Sequence, residues 1–210
     1  MQWIKVCLRK YLNKYFQLKE PLEFGVNNPY GIKVGIKSHF EKPVQIDGGK
    51  YITIGDSSSI GRDAWLGAFD RYQDQSFRPK LNIGNNVRIG NYACITCIDE
   101  ISIEDGCLIS EYVYVSDHYH GFDPNSDVIP AKQPLFTKGK VSIGQNSFIG
   151  YRVSILNGVT LGRNCVVGAH SVVVTSFPDY SIIAGVPARL IKTYSLTEKK
   201  WIFSKSLKND

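Results

Sequence analysis

A chain of 210 residues, 43% of them hydrophobic, has enough apolar surface for one substantial core. Its formal charge of +6 admits anionic partners, but the basic residues are spread along the chain, which argues against a nucleic-acid reading element. Five cysteines, at positions 7, 94, 97, 107 and 165, are an odd number in a chain too long to need stapling, so a reducing compartment is expected.

The opening stretch MQWIKVCLRKYLNKYF is interrupted by Lys5, Arg9 and Lys10, which excludes the apolar run of a signal peptide, and no membrane-spanning run follows it. Trp3, Ile4, Cys7, Leu8, Tyr11, Leu12, Tyr15 and Phe16 recur at helical spacing opposite a basic face, and Pro21 limits the helix. Two readings stand for residues 1–18. The helix packs on its own body or a neighbouring subunit, or it lies on an anionic membrane surface with its lysines toward the headgroups.

From residue 46 onward the chain repeats every six residues. Ile54, Ile60 and Leu66 begin the beat, each followed by glycine, and Ile83, Ile89, Ile95 and Ile101 continue it. Ile103, Ile109 and Val115 carry it on, then Ile143, Ile149, Ile155, Leu161, Val167 and Val173. Neither helix nor alternating strand has this period; a parallel β-helix does, with three short strands to each coil of about 18 residues. The aliphatic side chain of each strand enters the core, a small residue such as Ser58, Ala64 or Cys165 fits near the corner, and Gly-Asn turns change direction. Such a solenoid needs caps at both ends, supplied by the amino-terminal helix and by the segment after Pro187.

Two segments break the beat. GAFDRYQDQSFRPKLN precedes Ile83, and SDHYHGFDPNSDVIPAKQPLFTKGK, which carries His118 and His120, precedes Val141. The second is expected to be ordered and functional. The step from Ile101 to Ile103 is a smaller slip, expected to be a widened corner. Cys94 and Cys97 form a C-x-x-C, but no second pair accompanies them, so they are read as structural filler.

VSIGQNSFIGYRVSILNGVTLGRNCVVGAHSVVV, followed by IIAGVPARLIK, resembles the carboxy-terminal signature of the hexapeptide-repeat acyltransferases, in the branch of sugar and surface-polysaccharide O-acetyltransferases. The resemblance implies a mainly β fold, a left-handed parallel β-helix with an amino-terminal amphipathic helix and a short carboxy-terminal helix or tail. The corresponding divisions are a lead-in at 1–45, the β-helix at 46–190 with insertions at 68–82 and 116–140, and a cap or tail at 191–210. It also implies a homotrimer that binds acetyl-CoA between adjacent subunits.

By the same resemblance, the catalytic histidine falls on His118. Imidazole suits the task, because a sugar hydroxyl attacks only as its proton is removed, near neutral pH. His120 stays open as the alternative base, since spacing alone does not rank the two. Asp117 is placed either as an acceptor contact or as a group that orients histidine, its ordinary reading being a surface carboxylate. Acetyl-CoA maps to Phe148, Gly150, Tyr151 and Ala169, with Arg189 on its 3′-phosphate and Lys192 assisting. Phe148 and Tyr151 depart from the usual tryptophan and small polar residue. Asp99 and Glu100 correspond to carboxylates that touch sugar hydroxyls.

The resulting expectation is an acetyl-CoA-dependent O-acetyltransferase acting on a saccharide, for a cell-surface polysaccharide or its lipid- or nucleotide-linked precursor. It would work in the cytoplasm, with peripheral membrane contact through residues 1–18. N-acetylation of an amino sugar or antibiotic, and a noncatalytic scaffold, are the alternatives. A solenoid carbonic anhydrase would need a third histidine on zinc, and none stands at a matching position; no metal is expected.

Overall fold

The structure is a computed structural model that describes residues 22–23 and 30–204. The expected helix at residues 1–18 and Cys7 lie outside the described residues.

Three parallel sheets wind around one core. The first sheet stacks Lys33–Val34, Ile52–Ile54, Lys80–Ile83, Glu100–Ile103, Val141–Ile143 and Thr160–Leu161. The second runs in parallel from His39–Phe40 through Ser59–Ile60, Arg88–Ile89, Leu108–Ile109, Phe148–Ile149 and Val166–Val167 to Ser181–Gly185, with Leu22–Glu23 added antiparallel to His39–Phe40. The third stacks Gln45–Asp47, Trp65–Ala68, Cys94–Cys97, Tyr114–Ser116, Ser154–Ile155 and Val172–Val173. The chain visits the three in turn, so each coil contributes one rung to every sheet.

The hexad is the reason for this winding. Ile60, Leu66, Ile95, Ile109, Ile143, Ile149 and Ile155 are completely buried, each stacked on the equivalent residue of the next coil. Burying each such side chain is worth about 1.5–3 kcal/mol, and the parallel ladders satisfy the backbone that turning inward would otherwise desolvate. Coils approach closely at the glycine corners: a Cβ on Gly144 would lie 2.5 Å from the Gly162 carbonyl carbon. Asn86, Asn146 and Asn164 adopt left-handed φ at their turns, as their short amide side chains allow. Tyr92, Tyr112, Arg152 and His170 do so as well, and the first three side chains form a column: Tyr92 stacks on Tyr112 at 4.7 Å, and the Arg152 guanidinium sits 5.2 Å from the Tyr112 ring centroid.

Two boundaries differ from the sequence reading, and one corner is as expected. The ladder already begins at Lys33–Val34, before residue 46, because Val34, Phe40 and Ile46 supply the hexad while the glycine after each is missing at Phe40 and Ile46. Among the described residues the carboxy-terminal segment is strand rather than helix: Ala188–Ser195 and Lys200–Phe203 add antiparallel strands to Ser181–Gly185 and cap that edge of the second sheet. The slip at Ile101 is a corner widened by two residues, after which Glu100–Ile103 buries both Ile101 and Ile103, as Lys80–Ile83 buries Leu81 and Ile83.

Each interruption folds as a hairpin. Arg71–Tyr72 pairs with Gln75–Ser76, and Tyr119–His120 pairs with Leu135–Phe136. The hairpins dock on one another. Gln75 exchanges two bonds with Leu135, donating Nε2–H to its carbonyl at 3.0 Å and accepting its amide at 2.6 Å. Tyr72 and Gln73 both donate to the Ala131 carbonyl.

Candidate active site

Tyr114–Ser116 ends the third sheet's middle rung, and the chain then leaves the coil through Asp117 and His118. Asp117 turns back beneath the surface and is fully buried. Its carboxylate accepts the Ile98 amide at 3.0 Å and the Asp99 amide at 2.8 Å, both presented by the widened corner one coil earlier. It also lies 2.9 Å from His118 Nδ1. A carboxylate that already accepts two amides acts as acceptor toward the ring as well, so Nδ1 carries the proton and Nε2 is left bare. Ser116, also buried, donates its hydroxyl to the His118 carbonyl at 3.0 Å and fixes the turn. The His118 side chain keeps 12% of its surface exposed.

That exposed edge faces a cavity of about 410 Å³ lined by Trp65, Phe69, Arg71, Tyr72, Cys94, Thr96, Tyr114, His118, Tyr119, His120 and Leu135. Its floor is the outward column of the third sheet, where Trp65, Cys94 and Tyr114 sit on successive rungs. The Trp65 indole N–H donates to Asp47 at 2.7 Å, and Asp47 is held in turn by Gln45. Phe69 meets both Trp65 and His118 edge-on, with centroids 6.1 and 6.4 Å apart. The docked hairpins form the opposite wall.

His120 lines the same cavity on different terms. It is exposed, and its Nδ1 lies 3.4 Å from the Tyr72 hydroxyl, which is committed to the Ala131 carbonyl. The two histidines thus differ in what holds them: a fully buried carboxylate for His118, a half-buried phenol for His120. Asp117 is not the surface carboxylate of its ordinary reading, nor can its buried oxygens receive an acceptor. Asp99 and Glu100 do not line the cavity, because the widened corner turns Asp99 to solvent and puts Glu100 on the first sheet.

The residues expected to meet acetyl-CoA lie elsewhere. Phe148 is exposed on the second sheet between Leu108 and Val166, and Gly150 follows it, packed so closely on Ala169 that an added Cβ would lie 2.8 Å from the Ala169 amide. Tyr151 lines a second, open cleft with Arg88, Leu108 and Glu111. Arg189 is exposed on the strand that extends this sheet, and Lys192 lies over the Phe203 ring at 4.1 Å. The sequence reading missed Trp65, Cys94, Tyr114 and Ser116. The first three each precede a hexad aliphatic, so the beat itself marked them as one outward column.

Cys94 opens into the cavity while Cys97 packs in the core, and both are free thiols. Burial pushes the Cys107 thiol up to about 11 and raises those of Cys94, Cys97 and Cys165. Among the described residues no three His, Cys, Asp or Glu side chains are grouped to hold a metal.

A parallel β-helix with a histidine at the mouth of an aromatic cavity defines the class, and the comparisons give the family. Residues 140–175 match the family described as hexapeptide repeat of succinyl-transferase. WbbJ of Escherichia coli, provisionally named a lipopolysaccharide biosynthesis O-acetyl transferase, is 34% identical over 155 residues, which are 71% of this chain and 76% of WbbJ. A provisionally named acetyltransferase of Mycobacterium tuberculosis is 31% identical over 195 residues, 89% of this chain, but the match spans only 59% of that longer protein. Among solved structures, a mutant of AntD, an N-acyltransferase from Bacillus cereus in complex with dTDP and coenzyme A, superposes with a TM-score of 0.66 at 27% identity, covering 78% of this chain and 84% of AntD. The chain belongs to the hexapeptide-repeat acyltransferases, and its coil is the left-handed β-helix of that family.

Proposed function

We propose that the chain transfers an acetyl group from acetyl-CoA to a hydroxyl of a saccharide, in the making of a surface polysaccharide or its lipid- or nucleotide-linked precursor. The observation that carries this reading is the His118 ring, held at Nδ1 by buried Asp117 at 2.9 Å and lining a cavity large enough for a sugar unit. His118 Nε2 takes the acceptor proton as the oxygen attacks the thioester carbonyl. The C–O bond forms and the C–S bond breaks, and the coenzyme leaves as the thiol, taking the proton from the imidazolium. AntD's bound coenzyme A and WbbJ's name support donor and acceptor class.

Phe148, Gly150, Tyr151, Ala169, Arg189 and Lys192 are assigned to the donor. The strands bearing most of them belong to the second sheet, whereas His118 leaves the third. Within a triangular solenoid these sheets face outward in different directions, so a donor on one reaches His118 only at a junction between copies. This supports a homotrimer. A cytoplasmic reaction at the membrane's inner face, with residues 1–18 as peripheral contact, completes the reading; among the described residues no helix is long and apolar enough to cross a membrane. The likeness to AntD favours a second reading, acylation of a sugar amine, which the same base serves.

Calorimetric titration of acetyl-CoA is the test. One site per chain with a dissociation constant of roughly 1 μM to 1 mM is expected, about −8 to −4 kcal/mol. His118→Ala keeps that binding and loses transfer; Arg189→Ala weakens binding. Absence of binding, or transfer by His118→Ala at the wild-type rate, would overturn the proposal.

A further inference from the structure

The acceptor cavity carries a charge that nothing among the described residues answers. Five of its lining residues are aromatic, and none is a carboxylate. Arg71, exposed on the first hairpin, is its one fixed cation. Among the described residues no ion pair or side-chain hydrogen bond engages the Arg71 guanidinium. The carboxylate next to it in sequence is drawn away: Asp70 lies 3.0 Å from Lys50 Nζ and accepts the Tyr51 hydroxyl at 2.8 Å. Those two partners, the phenol first, hold the Asp70 carboxyl below its ordinary range.

The backbone that carries Arg71 is held in place. Arg71 pairs with Ser76 across the hairpin, and the adjoining Tyr72, Gln73 and Gln75 are tied to the second hairpin at Ala131 and Leu135. Arginine presents a planar fork of N–H donors, a geometry complementary to two oxygens of one carboxylate or phosphate. Trp65 and Tyr114 supply aromatic surface for the apolar side of a pyranose in the same cavity that His118 lines.

We infer that the acceptor is an anionic saccharide, whose carboxylate or phosphate is read by Arg71 while a hydroxyl of the same unit meets His118. This rests on the proposed transfer reaction and narrows its acceptor. The anion has two sources, a uronate carboxylate on the ring or a phosphate on the anomeric oxygen, and both satisfy the same fork.

The experiment uses matched acceptors: glucose, glucuronate and glucose 1-phosphate, and the corresponding galactose set. Calorimetric binding without donor and initial acetylation rates with acetyl-CoA are measured on the wild type, Arg71→Gln and Arg71→Lys. One anionic member is expected to exceed its neutral counterpart about tenfold in affinity and in kcat/KM, the ordinary worth of a charge-assisted bond at a partly exposed site. Arg71→Gln brings that ratio to near one, and Arg71→Lys, which keeps the charge without the fork, retains part of it. Whether uronate or phosphate leads identifies the source. Transfer with no anion preference, or a preference that survives Arg71→Gln, overturns the inference and leaves the transfer reaction standing. Anion-selective binding lost in Arg71→Gln, with no acetylation of any member, supports Arg71's role and counts against the transfer reaction. Neither binding nor transfer across the panel overturns both.

Discussion

Asp117→Asn is the sharpest perturbation of the proposed chemistry. The aspartate accepts three N–H groups, from Ile98 at 3.0 Å, Asp99 at 2.8 Å and His118 Nδ1 at 2.9 Å. Asparagine has one oxygen and one NH₂ at nearly the same volume. If the oxygen keeps the two amides of the widened corner, the NH₂ faces Nδ1. That nitrogen must then accept, and the ring proton moves to Nε2, the atom an acceptor hydroxyl needs bare. The loss is then the contribution of the general base, about 10²–10⁴ in kcat, equivalent to about 2.7–5.4 kcal/mol. Acetyl-CoA affinity should be unchanged, since the donor residues lie on another sheet. Asp117→Ala differs in kind: it leaves the buried Ile98 amide without an acceptor, at about 1–3 kcal/mol, and the part-buried Asp99 amide as well, and is expected to lower stability. Steady-state kinetics at saturating acetyl-CoA, calorimetric donor binding and a denaturation curve separate these effects. A folded Asp117→Asn enzyme with kcat within about threefold of wild type would refute the orienting role.

Three further outcomes test the solenoid. Ile109→Ala empties a fully buried position between Ile89 and Ile149, so the urea midpoint should fall by the equivalent of about 2–5 kcal/mol with an unchanged slope; a loss below about 1 kcal/mol would contradict the stacked core. Gly144→Ala normally stabilises by reducing unfolded-chain entropy, but here the new methyl meets Gly162 and Arg163 backbone at 2.5 and 2.6 Å, so the melting temperature should drop; a rise would mean that the coils are looser. The raised Cys107 thiol stays protonated in the native chain while the unfolded thiol ionises near 8.5, so stability should decline as pH rises from about 8.5 toward about 11, by up to about 1.4 kcal/mol per pH unit. Cys94, Cys97 and Cys165 act in the same direction, so Cys107→Ala should make that limb shallower without abolishing it in denaturation curves taken at successive pH values, and an undiminished slope would remove Cys107 as a contributor.

The six-residue beat by itself determined the coil, because an aliphatic side chain at every sixth position has no burial in a helix or a two-sided sheet. The position of His118 at the start of an insertion, and the closing run through Arg189, were equally legible, since both are local features of the chain. Tertiary structure decided what no local pattern encodes. Asp117 and the amides of Ile98 and Asp99 come from different coils, and only stacking brings them within hydrogen-bonding distance, which turns an apparent surface carboxylate into the buried partner of His118. Asp99 and Glu100 were carried off the site by the same widened corner. Stacking likewise gathered Trp65, Cys94 and Tyr114 into one floor and docked two separate hairpins over it. A solenoid writes its core along the chain, one rung at a time, but it builds its cavities across rungs. Those depend on which residues lie one coil apart, and the two insertions lengthen that distance in the coils that carry them.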